Sequence, residues 1–177
     1  MKRTTAIGLG ALAVAAVAGA WAYTMWFAPE SSTVANEPLP ELRDGSQPSP
    51  DAGREPVPLR SGTFHGADDF HFARGTVDLH QAENGSFILR FEGYDAREGP
   101  DVYLYLTRNA GDDSASEVEG QGVRLRVPGG EGDGRATVRG SFNVFVPVGL
   151  DPLAYGGVAI WCDDFNHFFG HAALGAP

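Results

Sequence analysis

Hydrophobic residues are distributed in three different ways along the chain. From Ile7 to Phe27 they form one nearly unbroken apolar run. From Glu30 to Arg60 they are sparse, and between Ser61 and Leu174 they recur in short segments in which every second residue is apolar. Such alternation is typical of a strand that buries one face. The pattern therefore predicts an apolar N-terminal segment, a polar connection and a β domain.

The N-terminal run, residues 1–29, is predicted to be a membrane anchor. It is long enough to cross a bilayer as a helix, with Lys2 and Arg3 before it and aromatic residues at its far end. The positive end should stay in the cytoplasm. We therefore expect a single-pass protein of the cell membrane that contacts the bilayer through residues 5–27, with its C-terminal domain extracytoplasmic. A cleavable signal peptide is the alternative, because Ala18-Gly19-Ala20 fits the small-residue cleavage pattern.

The connection, residues 30–60, is predicted to be a disordered, Pro-rich linker. Six prolines stand there among serine, aspartate and glutamate. A segment of this composition cannot bury enough apolar surface to fold, and its prolines keep it extended. It would hold the following domain away from the membrane.

Residues 61–177 are predicted to form an all-β domain, an antiparallel β-sandwich or barrel-like fold. Turn residues separate short segments with strand patterns, a spacing typical of such folds. The predicted strands lie within residues 62–72, 75–80, 86–91, 102–107, 123–127, 136–147 and 158–162. Glu83-Asn84-Gly85 predicts a tight hairpin, since Asn-Gly accepts positive φ. Residues 109–122 are predicted to be a polar, acidic loop, because no segment of the domain has a helical apolar period.

Charge and cysteine content exclude some functions. The formal net charge of -10 argues against nucleic acid, because phosphate binding needs clustered basic residues. With one cysteine, Cys162, the chain cannot form an intrachain disulfide. On a regular strand Cys162 shares a face with Val158 and Ile160, so we expect it to point into the core. A buried free cysteine is usually inert, and the neighbouring aspartates should raise its pKa.

The histidines near the C-terminus are candidate metal ligands. His167 and His171 are four residues apart, and with His71 or His65 brought close by the fold they could bind copper or zinc. Solvated surface histidines are the alternative. Since His167 lies five positions after Cys162, a regular strand would place them on opposite faces. A site that combines them needs a bulge near Gly170 or after Asp163.

Several motifs of the β domain occur in the order seen in a known family. They are GTF at residues 62–64, GPDVYLYL at 99–106, LDPLAYGGVAIWC at 150–162 and the FxxxFGxAxL pattern at 165–174. In these features the region Ser61–Leu174 resembles the DM-thirteen family, a proposed electron-transfer domain.

The resemblance implies electron transfer through a single cysteine that acts as a thiol or as a ligand to haem or a metal such as copper. The redox-active cysteine of the family falls on Cys162, the candidate catalytic residue. Trp161 and His71 become candidate cofactor-binding residues. His167 and His171, the candidate metal ligands, depart from the family, in which apolar residues are usual there.

Two function classes are favoured at this point, with a zinc or copper hydrolase as a third. The first is an extracytoplasmic electron-transfer domain that exchanges electrons with a redox partner protein. The second is a non-redox β-sandwich that binds a cell-surface partner, with Cys162 inert in its core. In neither case do we expect an enzyme acting on a small substrate.

Overall fold

The computed structural model describes residues 33–39, 58–82, 85–127 and 138–177. All described residues belong to one compact unit. The predicted anchor lies outside the described residues, as does most of the predicted linker. Among the residues that are described, no helix has the length and apolar character needed to cross a bilayer.

Nine strands make up most of the described part of the chain. They are β1 (Thr33–Asn36), β2 (Arg60–Gly66), β3 (Ala73–Gln81), β4 (Phe87–Ala96), β5 (Val102–Thr107), β6 (Val123–Arg124), β7 (Val138–Phe145), β8 (Gly157–Cys162) and β9 (His167–Ala173). One short α-helix, α1 (Ala115–Gln121), and a 3-10 turn at Pro152–Ala154 accompany them. The domain is therefore mostly β, as the alternating pattern predicted.

The strands form one curled sheet in the order β1-β7-β4-β3-β2-β9-β8-β5-β6. Strand β2 pairs with β3 on one side and with β9 on the other, so it joins the two halves of the sheet. Apolar residues from both halves meet in one core; they include Val77, Leu79, Phe91, Phe142, Leu104, Val158 and Ile160. Burial of these side chains, each almost free of solvent contact, is the main source of stability for such a sheet.

Two parts of the segment predicted as a disordered linker lie in the sheet. Strand β1 pairs in parallel with β7, from Thr33 opposite Val138 to Asn36 opposite Ser141, and Arg60 begins β2. The Arg90 side chain also donates a hydrogen bond to the backbone oxygen of Glu37, at 2.6 Å. These residues gain backbone partners from a distant strand, and composition alone carries no signal for such pairing.

Helix α1 lies within residues 109–122, where the sequence predicted only a loop, so that prediction was wrong. The helix begins after Ser114, whose side chain accepts a hydrogen bond from the backbone N–H of Glu117. The buried carboxylate of Glu117 accepts one from the backbone N–H of Asn109, at 2.7 Å. Seven residues with Val118 as the buried apolar side chain are too few to show a helical period.

Strands β5 and β8 are buried on both faces. Val102, Leu104 and Leu106 point into the main core. The opposite face forms a second cluster under α1, here called the outer cluster: Tyr103, Tyr105, Val118, Ala159 and Trp161. Directly opposed residues of β5 and β8 fall in the same cluster, as the antiparallel register requires.

Candidate functional site

The closed end of the β8–β9 hairpin brings Cys162 opposite His167. Ile160 pairs with Gly170 and Trp161 with Phe168, which leaves Phe169 as an extra residue on β9. This is a β-bulge at one of the two positions that the sequence predicted. Because directly opposed residues of an antiparallel pair point to the same side, Cys162 and His167 share a face of the hairpin.

Cys162 is fully buried, with 0% of its surface exposed, and it packs in the main core with Val158 and Ile160. The orientation predicted from strand parity is confirmed. Burial raises the pKa of the Cys162 thiol, and the charges of Asp164 and Asp101 add to this. Backbone hydrogen bonds from Phe165 and Asp101 act in the opposite direction. At neutral pH the side chain is therefore a buried, neutral thiol.

Haem does not fit at Cys162 in this conformation. A haem iron needs open space beside its ligand, and the Cys162 side chain is enclosed by the core. A cleft of ≈ 520 Å³ does open on the domain, but it is lined by residues such as Ser61, His65 and Asp78, and Cys162 does not contribute to it.

The loop between β2 and β3, residues 67–72, folds back onto β9 and places His71 beside His167. The backbone N–H of Ala67 donates to the oxygen of Phe169 at 2.9 Å, which fixes the start of the loop. A Cβ on Gly66 would lie 2.4 Å from the backbone oxygen of His71, so this close approach requires glycine. The ring centroids of His71 and His167 are 4.4 Å apart.

Asp68 completes this group. One carboxylate oxygen, Oδ1, accepts hydrogen bonds from the backbone N–H groups of Phe70 and His71, at 2.8 and 2.7 Å. The other, Oδ2, lies 2.8 Å from Nδ1 of His71. These bonds, the one to the His71 side chain first, lower the pKa of Asp68 to about 2. One ligand atom each from Asp68, His71 and His167 lies within 4.8 Å of the other two.

His171 is not part of this group. It pairs across the strands with His65, and the two ring centroids are 6.4 Å apart. Burial and the neighbouring His65 lower the pKa of His171. The structure therefore separates the two predicted metal ligands and joins His167 to His71, which the sequence had singled out as a cofactor-binding residue. Asp68 was not among the candidate site residues predicted from the sequence, although its spacing of three from His71 allows this contact.

Trp161 points away from Cys162. Its side chain lies in the outer cluster with 1% of its surface exposed, and its Nε1–H donates to Glu119 at 2.5 Å. On this side of β8 it packs between the sheet and α1. The cofactor-binding role of Trp161 stays a prediction, and its contacts in the structure are those of a packing residue.

The hydroxyl group of Tyr105, a buried residue of the outer cluster, is hydrogen-bonded to two charged side chains. Its hydroxyl donates to Asp163 at 2.9 Å and accepts from Nε of Arg124 at 3.0 Å. The Arg124 guanidinium also pairs with Asp163 and lies 4.0 Å from the centroid of the Tyr103 ring. Burial raises the pKa of Tyr105 to about 12.

Tyr105 should make the domain sensitive to alkali. Because the folded state holds the phenolic proton more tightly than the unfolded state, its contribution to stability is complete below the ordinary pKa of 10.0 and is lost as pH rises to about 12. In an alkaline titration, the wild type should therefore show a rise in tyrosinate absorbance near pH 12 that the Tyr105→Phe variant lacks. Ionisation of this residue near pH 10 would show that the hydroxyl is not buried in the way described.

The whole of this site lies within a match to a known family. Residues 63–174 match the family model described as Electron transfer DM13. The chain belongs to this family. The resemblance predicted from the sequence is thus confirmed, and the matched DM13 region contains Asp68, His71, Trp161, Cys162 and His167. No curated protein and no solved structure matches the chain.

Proposed function

We propose that this DM13 domain carries electrons between partner proteins at the outer side of a membrane. The observation that carries the proposal is the family match over residues 63–174. In each cycle the domain takes one electron from a reduced donor protein and passes one electron to an oxidised acceptor protein. The chain is unchanged at the end of the cycle, as an electron carrier must be.

The redox group is proposed to lie at the hairpin rim, defined as residues 67–72 together with the β8–β9 turn, residues 163–166, and His167. Cys162 lies beneath this rim on the same face as His167. Its side chain is enclosed by the main core. The hydrophobic shell around a metal site controls solvent access and the local dielectric, and hence its redox potential. We therefore assign Cys162 a role inside the protein, as the sulfur next to the redox group, and not that of a surface thiolate.

The hairpin rim also offers a surface on which a partner protein can dock. Phe70 and Phe165 project from its two loops with 61% and 67% of their surface exposed. Exposed aromatic side chains next to a functional group are typical of interaction sites. A redox partner that covers them would come close to His71 and His167.

Electron uptake by the full-length chain in detergent tests the proposal. A redox titration with soluble mediators should show reversible uptake of one electron per chain. If the folded protein neither accepts nor donates electrons across the range of the mediators, the proposed function is wrong.

The membrane location is part of the same proposal and rests on the apolar run of residues 5–27 after Lys2 and Arg3. The full-length protein should sediment with membranes, and protease added from outside should digest the domain in intact cells. A soluble product that starts at Trp21 would instead show that the segment is a cleaved signal peptide.

A second candidate function is favoured by the burial of Cys162. A thiol with 0% exposure and a raised pKa is what a purely structural core cysteine would show. The domain would then be a tethered module that binds a cell-surface protein. The redox titration separates the two functions, since such a module takes up no electrons.

A further inference from the structure

We propose that Asp68, His71 and His167 bind one divalent transition-metal ion of the first row, and that copper is the preferred occupant. The inference deepens the proposed function, on which its role in electron transfer rests, by naming the redox group at the hairpin rim. Metal binding itself depends only on the three side chains and can be tested separately.

The donor set suits such an ion. Two imidazole nitrogens and one carboxylate oxygen are ligands that zinc and copper commonly use, and for a given site Cu²⁺ usually binds more tightly than Zn²⁺. With bonds of roughly 2.0–2.2 Å, neighbouring ligand atoms around one ion lie about 2.8–3.5 Å apart. The pair Asp68 Oδ2 and His71 Nδ1 already has a separation of 2.8 Å, and all three ligand atoms lie within 4.8 Å. Around a bound ion, all three ligand atoms would have to come to this closer spacing.

The group is held in place before any ion binds. Oδ1 of Asp68 is fixed by two backbone N–H groups, which directs Oδ2 towards His71. His71 is only 18% exposed, and its ring packs against the buried Phe169 at a centroid distance of 4.6 Å. Preorganised ligands lose less conformational entropy when they bind.

The three ligands come from two parts of the chain that the fold fixes against each other. Asp68 and His71 lie in the loop after β2, which is anchored through Ala67 to the backbone of Phe169. His167 starts β9 on the near side of the bulge. The site therefore exists only in the folded protein, and a bound ion should stabilise the domain.

The chain offers a matched control in its other histidine pair. His65 and His171 also face each other across β2 and β9, at a centroid distance of 6.4 Å. Their imidazoles do not belong to the group of three ligand atoms found among the described residues. Removing this pair should leave metal binding at the hairpin rim unchanged.

Calorimetric titration of the full-length, metal-stripped chain with Cu²⁺ and, separately, Zn²⁺ tests the inference. The protein should carry no histidine tag. We expect one ion per chain and a loss of affinity of about 10- to 100-fold or more in His71→Ala and in His167→Ala. The double variant His65→Ala/His171→Ala should bind within about twofold of the wild type, since it removes none of the proposed ligands. Co²⁺ added as a probe should give a visible ligand-field spectrum that disappears in His167→Ala.

The inference is overturned if the wild-type chain binds neither Cu²⁺ nor Zn²⁺, or if the His65/His171 control loses the ion as His71→Ala does. It is also overturned if Cys162→Ser abolishes binding, because the ligand set would then be a different one. Circular dichroism should show that the variants are folded. If His71→Ala does not fold, Asp68→Asn and His167→Gln, which alter the exposed side chains of the group, give the same test.

Failure of this inference can be told apart from failure of the proposed function. A chain that binds copper but exchanges no electrons would contradict only the electron-transfer function. If the chain takes up one electron whether or not metal is bound, the metal is not its redox group, and only that part of the inference is contradicted.

Discussion

Replacing Trp161 by alanine is expected to lower the free energy of unfolding by about 3–5 kcal/mol. The side chain is among the largest that are fully buried, and it fills the space between β8 and α1. Its removal leaves a cavity against Tyr103, Tyr105 and Val118 that the sheet backbone is too rigid to close. It also leaves the Glu119 carboxylate without the indole N–H. Denaturant unfolding followed by circular dichroism measures the loss.

Trp161→Phe is the matched control for this prediction. It keeps an aromatic ring in the outer cluster but removes the hydrogen bond to Glu119, so its cost should be about 1–2 kcal/mol, as for the loss of one hydrogen bond and a smaller cavity. A loss of less than about 1 kcal/mol for Trp161→Ala would contradict the described packing. Electron uptake by folded Trp161→Phe should equal that of the wild type if Trp161 only packs.

Replacing Gly170 by valine is expected to cost at least about 2 kcal/mol and to disturb the hairpin rim. A Cβ at this position would lie 2.4 Å from the backbone oxygen of His65, so β2 and β9 would have to separate. The bulge that aligns Phe169 and His167 depends on this glycine. The variant should therefore also bind copper more weakly than the wild type.

Gly175→Ala is the control for Gly170, because a Cβ at Gly175 meets no atom within 4 Å. Its free energy of unfolding should stay within about 0.5 kcal/mol of the wild type, as at most exposed positions. If Gly170→Val were as well tolerated as Gly175→Ala, the close approach of β2 and β9 at the bulge would be refuted.

Strand faces were predictable from the sequence because they follow from local periodicity. The alternation in Val158–Cys162 correctly placed Cys162 in the core and Trp161 on the other side. The same alternation in β5 separates its aliphatic side chains from Tyr103 and Tyr105. A side chain on a strand has only two directions to choose from, so a short run of residues decides the matter.

Contacts between distant segments were not predictable in this way. Strand β1 exists because β7 offers backbone partners to Thr33–Asn36, and Asp68 meets His167 only because the loop after β2 folds back over β9. Helix α1 depends on a cap at Ser114 and on the buried carboxylate of Glu117. In each case the residues that stabilise the element are distant in sequence or polar, so the hydrophobic periodicity of the segment does not predict them.

The candidate site combines both kinds of information. The family resemblance made Cys162 the candidate redox residue, and the alternation of strand residues placed it in the core. In the structure its side chain is enclosed. The accessible chemistry lies on the same face of the hairpin, in the carboxylate and imidazoles of the rim. Under the proposed function, the rim would hold the redox group and the enclosed sulfur beneath it would help to set the potential.

Voltammetry of the full-length chain adsorbed on an electrode, compared with Cys162→Ala, tests the central claim most directly. Both proteins should be folded by circular dichroism, and Cys162→Ser provides a second variant in case alanine is not tolerated. The proposed function predicts a reversible one-electron wave in the wild type that is lost, or shifted beyond the scatter between films, when the sulfur is removed. The absence of a wave in the wild type, or an identical wave at the same potential in the variant, would contradict it.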